Sequence, residues 1–142
     1  MERMTALTIA CLLPCMALSA CSRRDENETA IETRMLRLAG PQAEQCGVIR
    51  HGMDHGDGWD CVQRAEREGR SFWMAMQARP TDAAVWHVAV RNNAAERFIV
   101  FYSSNRFGQS AFEPHFDIQP CNEPFVLAGT PKLPLTCGTT PP

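Results

Sequence analysis

Residues 71–103 read SFWMAMQARPTDAAVWHVAVRNNAAERFIVFYS. Apolar residues recur here at a spacing of two, the period of a strand whose side chains alternate between faces. Phe72, Met74 and Met76 alternate with Trp73, Ala75 and Gln77, and Trp86, Val88 and Val90 alternate with Val85, His87 and Ala89. The run RFIVFYS, 97–103, is apolar on both faces, as a central strand is. Arg79-Pro80-Thr81-Asp82 and Asn92-Asn93 punctuate the stretch as turns. Further on, HFDIQ sets Phe116 and Ile118 against His115, Asp117 and Gln119, and PFVLAG, 124–129, is a short fifth candidate. Gly108 and Asn122-Glu123-Pro124 mark the intervening turns. Consecutive strands with short connections predict an antiparallel meander of four to five strands.

Upstream the period is 3.6. In AIETRMLRLAG, 30–40, Ile31, Met35 and Leu38 share a stripe, and Gly40-Pro41 ends it. PQAEQCG, 41–47, reads as a second short turn. Asp60 is a plausible N-cap for CVQRAEREG, 61–69, which puts Cys61 and Ala65 on one face and ends at Gly69. The expectation is one α+β domain over 30–138, in two layers, with short N-terminal helices packed on one face of the sheet. This order of elements resembles the α-α-β-β-β plan of small envelope lipoproteins such as the outer-membrane assembly accessory factor. The resemblance rests on element order alone and implies no function.

The chain opens Met1-Glu2-Arg3, followed by an uncharged run from Met4 to Leu18. That run is shorter than the ~20 apolar residues that span a bilayer, and it fits the apolar middle of a secretory signal peptide. Leu18-Ser19-Ala20-Cys21 then resembles the bacterial lipobox. The resemblance implies diacylglycerol transfer to the Cys21 sulfur, cleavage that removes residues 1–20, and acylation (palmitate) of the new amine. Multiple buried acyl chains anchor stably where one does not. Ser22 after the cysteine, in place of Asp, implies sorting to the outer membrane, facing the periplasm. Plain secretion with cleavage after Ala20 is the alternative. Residues 21–29, beginning CSRRDENE, are expected to be a polar lipidated tether, and 139–142 a loose tail.

Of seven cysteines, Cys11 and Cys15 would leave with the leader and Cys21 would take the lipid. Cys46, Cys61, Cys121 and Cys137 remain, an even set suited to two disulfides in an oxidising space. Three connectivities exist, and nearness in sequence favours Cys46–Cys61 and Cys121–Cys137. The absence of any C-x-x-C argues against a four-thiolate metal site. Net charge is −2, which gives no reason to expect nucleic acid as a partner.

HGMDHGDGWDC, 51–61, gathers His51, Met53, Asp54, His55, Asp57 and Asp60. His51 and His55 have the spacing that aligns two imidazoles on a helix, but Gly52, Gly56 and Gly58 argue against one. A copper or zinc site from His51 and His55 with Asp54 or Asp57 is one expectation, and a turn closed by the Cys46–Cys61 bridge is the other. His87, His115 and Asp117 are candidates for acid–base work if registry brings them together, with solvated or hydrogen-bonded surface histidines on the strands as the alternative. There is no G-x-S-x-G and no unassigned mature cysteine. Trp73 and Trp86 are a candidate partner surface if their face is left uncovered, and core packing is the alternative. Pro131-Lys132-Leu133-Pro134 is expected to stiffen the loop that the second bridge closes. These features lead to the expectation of a non-enzymatic, lipid-anchored envelope accessory or binding protein. An envelope protein is the expected partner, and no cofactor is expected beyond the lipid. Metal binding is the runner-up, and a hydrolase-type activity a lesser alternative.

Overall fold

The structure, a computed structural model, describes residues 25–80, 82–105 and 113–138. The Leu18–Cys21 stretch with the leader, residues 22–24 of the expected tether, Gly108 and the 139–142 tail lie outside the described residues.

Helix α1 spans Glu26–Ala39. Asp25 caps it, its Oδ1 accepting from the Asn27 backbone N–H at 3.0 Å, and Glu26 and Glu28 in the first turn favour the positive end of the helix dipole. The helix therefore begins four residues before the expected position, inside the segment assigned to the tether. The sequence there has no apolar anchor, but it does not need one. The Tyr102 hydroxyl donates to Asn27 Oδ1 at 2.8 Å and ties the first turn to the sheet. Burial, and then the charges of Asp25 and Glu26, push that hydroxyl up to about 12, so it stays a donor. Ile31, Met35 and Ala39 are the buried stripe.

Strand β1, Glu44–Ile49, occupies most of the stretch expected to be a short turn. It was hidden by Gly47, which has φ 133° and sits at an irregularity in pairing between Gln45 and Gly47. Helix α2, Gly56–Glu68, follows and starts four residues before the expected Asp60 cap. The chain then runs through β2 (Phe72–Gln77), β3 (Val85–Arg91), β4 (Arg97–Ser103), β5 (His115–Pro120), β6 (Phe125–Leu127) and β7 (Leu135–Cys137).

The main sheet has five strands in the order β1-β2-β3-β4-β5. From β2 to β5 it is the expected antiparallel meander. β1 pairs with β2 in parallel, because α2 carries the chain back between them, so the sheet is mixed. PFVLAG does not extend it: β6 pairs with β7 in a separate two-stranded hairpin.

The α+β class and both disulfides are as expected, Cys46–Cys61 and Cys121–Cys137, while the layering differs. α1 packs on Trp73, Ala75, Trp86, Val88, Val90, Val100 and Tyr102. α2 and the β6–β7 hairpin pack on the other face, against Phe72, Met74, Met76, Ala89 and Ile99. The helices lie on opposite faces, giving three layers where two were expected. The reason is composition: both alternating sets of β2 are apolar, so neither face is suited to water. Gly58 lets α2 lie close, since a Cβ there would meet the Cys46 carbonyl oxygen and Ile49 Cδ1, each at 2.8 Å.

Candidate functional site

The histidine-rich segment lies between the end of β1 and the start of α2, where backbone hydrogen bonds give it a definite path. Met53 N–H donates to Arg50 O at 3.0 Å, Gly52 takes φ 81°, and His51 N–H donates to Gln77 Oε1 at 3.2 Å, pinning the turn to β2. Asp54 Oδ1 accepts from Gly56 N–H at 3.0 Å and so starts α2. His55 is the N-cap residue but makes no side-chain cap bond.

Opposite stands the β6–β7 hairpin. Ala128 N–H donates to Pro134 O at 3.0 Å, Leu133 N–H to Thr130 Oγ1 at 3.1 Å, and Arg79 N–H to Pro131 O at 2.7 Å. The last of these bonds the loop to the main chain just beyond β2. Between the two walls is a cavity of about 290 Å³. His51, Met53 and His55 line one side, Met76 and Gln77 come from β2, and Leu127, Pro131 and Pro134 line the hairpin side. Its size is at the lower end for small-ligand sites.

The structure thus brings His51 and His55 to one cavity, but their expected carboxylate partners do not follow. Asp54 and Asp57 are exposed and do not line it. Among the described residues, the group that gathers three His, Cys or carboxylate ligand atoms within 4.8 Å is Glu44, Cys46 and Cys61. Those sulfurs are joined to each other, and Glu44 pairs with Arg64 and Arg70. Met76 escaped sequence reasoning as a cavity residue. A period of two assigns it a face, and the hairpin that meets it there lies some fifty residues further along the chain.

The other candidates stand elsewhere. Trp73 and Trp86, proposed as partner surface, are 0 % and 1 % exposed beneath α1, which overturns that reading in favour of core packing. His87, expected at a surface, is buried. Its Nδ1 lies 3.4 Å from Leu135 O, and its ring meets Phe101 edge-on at 4.9 Å. Desolvation lowers its pKa, with the Leu135 carbonyl opposing in part. Registry does put His87 and Asp117 in one cross-strand row on one face, but Phe101 stands between them. Two strand spacings, about 9.6 Å, separate their backbones. Asp117 is exposed and accepts from Gln119 Nε2 at 2.8 Å, and His115 is exposed at the strand's start.

A second concavity, of about 440 Å³, runs between α1 and β5, lined by Thr33, Arg34, Arg37 and Phe116 among others. The Arg34 guanidinium stands 5.9 Å from the Phe116 ring centre. It offers one aromatic face and two cations, with no convergent set of donors.

Comparison with protein-family models, with curated proteins and with solved structures finds no match for this chain.

Proposed function

We propose that the chain is a lipid-anchored, non-enzymatic binding module of the bacterial cell envelope. It would be held to the membrane through Cys21 and would present the cavity between residues 50–55 and the β6–β7 hairpin. The observation that carries this reading is the cysteine pairing. Cys46–Cys61 and Cys121–Cys137 leave no thiol over in the described domain, as suits work in an oxidising space. The early start of α1 adds a distance. With Glu26 five residues after Cys21, the intervening backbone reaches at most ~18 Å, so a Cys21 lipid would hold the domain close to the bilayer. Phe101 separates His87 from Asp117, which counts against that acid–base pairing.

Intact mass of the chain extracted from envelope membranes tests the anchor. Acyl chains on an N-terminal Cys21 are expected, and Cys21→Ser should release the chain to the soluble envelope fraction. An unmodified Cys21, or a Cys21→Ser chain that stays on the membrane, would overturn the anchor. A photoreactive group at Thr130, on the cavity rim, should give a reproducible envelope neighbour on native membranes.

A further inference from the structure

The Gln77 and Thr130 oxygens in the cavity lining already accept from His51 N–H and Leu133 N–H, which leaves nitrogen and sulfur donors. His51 and His55 supply imidazole nitrogens, Met53 and Met76 supply thioether sulfurs, and the lining contains no carboxylate. Imidazole with thioether is a soft set that suits monovalent copper and does not suit oxygen-seeking ions. We propose that this cavity binds a soft monovalent cation, Cu(I), through His51, Met53, His55 and Met76.

Four further observations point the same way. Met53 is 65 % exposed, a large apolar side chain that the core does not use, standing between the two histidines in sequence. The carboxylate nearest in sequence is engaged elsewhere, since Asp54 Oδ1 holds the start of α2. The one cation in the lining, Arg50, donates from Nε to Glu28 Oε1 at 2.7 Å, so its charge is compensated beside the site. Finally, the donor loop lies within the 15-residue span closed by Cys46–Cys61. That bridge limits how far the loop can stray, and it removes the two thiols that would otherwise compete for a soft ion. The assignment names a ligand for the cavity of the proposed binding role, and rests on that reading only in taking the cavity as the site. It does not depend on the lipid.

The test uses the chain extracted from envelope membranes, with disulfides intact and any free thiol blocked by N-ethylmaleimide. Ag(I) serves as the redox-inert probe for Cu(I). One Ag(I) per chain is expected, with the methyl resonances of Met53 and Met76 shifting together. Met53→Leu, an exposed change that leaves the core alone, and the volume-conserving Met76→Leu should each weaken Ag(I) roughly tenfold or more. Asp54→Asn and Asp57→Asn should leave Ag(I) affinity unchanged. Ag(I) titrations in which neither methyl moves, or in which the double Leu variant matches the parent, would overturn the proposal. So would Zn(II) binding that is tighter than Ag(I) and is lost in Asp54→Asn or Asp57→Asn. A chain that crosslinks a neighbour through Thr130 but takes no Ag(I) would lose the metal and keep the binding role.

Discussion

A methyl group at residue 58 would meet both the Cys46 carbonyl oxygen and Ile49 Cδ1 at 2.8 Å. In an open helix, Gly→Ala gains ~1 kcal/mol of propensity, but overpacking of this kind costs about 1–3 kcal/mol. Gly58→Ala should therefore give a lower denaturant midpoint, whereas an ordinary helical glycine would give a higher one. The sequence shows the glycine and not what it faces, so by pattern alone Gly58 argues against a helix. His87 carries a second prediction. Its folded-state pKa is lowered by burial, while the unfolded chain titrates near 6.5. Between those values the unfolded state binds more protons, so stability should fall as pH drops below about 6.5 and level off below the folded value. Unfolding midpoints at pH 7.5 and pH 5 should differ less in His87→Gln, which keeps a donor for Leu135 O, than in the parent. A full-sized difference in that variant would remove His87 as the cause.

At the scale of elements, the disulfides staple segments that packing alone holds weakly. Cys121–Cys137 spans 16 residues and closes β6–β7, strands of three residues each. Loops of this length correspond to about 3 kcal/mol in the chain-entropy account. Replacing both cysteines by Ala should lower global stability by roughly that amount and raise amide exchange across 125–137 first. Uniform exchange throughout the domain would show that the hairpin is not a separate unit. The pairing was legible because each pair is close in sequence and sits in its own part of the chain. The strand partners were less so. Val126 and Leu127 look like any short apolar run, and only the bridge and Leu135, fully buried against the sheet, place them in a hairpin. β1 was missed because Gly47 breaks its pattern and because a parallel edge strand pairs with a segment beyond the next helix.

For the whole molecule, the decisive feature is a sheet covered on both sides. α1 shields Trp73, Trp86 and Tyr102, each 1 % exposed or less. Met35 is fully buried at the centre of that contact, and Met35→Ala should cost about 2–5 kcal/mol as an unfilled cavity. Binding of a hydrophobic dye should rise in step, because loosening α1 uncovers two tryptophans. A Met35→Ala protein with unchanged stability and no dye binding would mean that α1 is dispensable cover.

By itself the sequence determined which residues alternate along β2 to β5 and which four cysteines pair. These are local matters: a period of two or 3.6, a turn residue, a short loop between thiols. Only the tertiary structure decided which face each helix covers, that β1 joins the sheet in parallel, and that Met76 and the hairpin complete a cavity around His51 and His55. Each of these is a contact between segments distant in the chain. Sequence pattern records that a side chain is apolar or polar, but not which of several distant apolar surfaces it will meet.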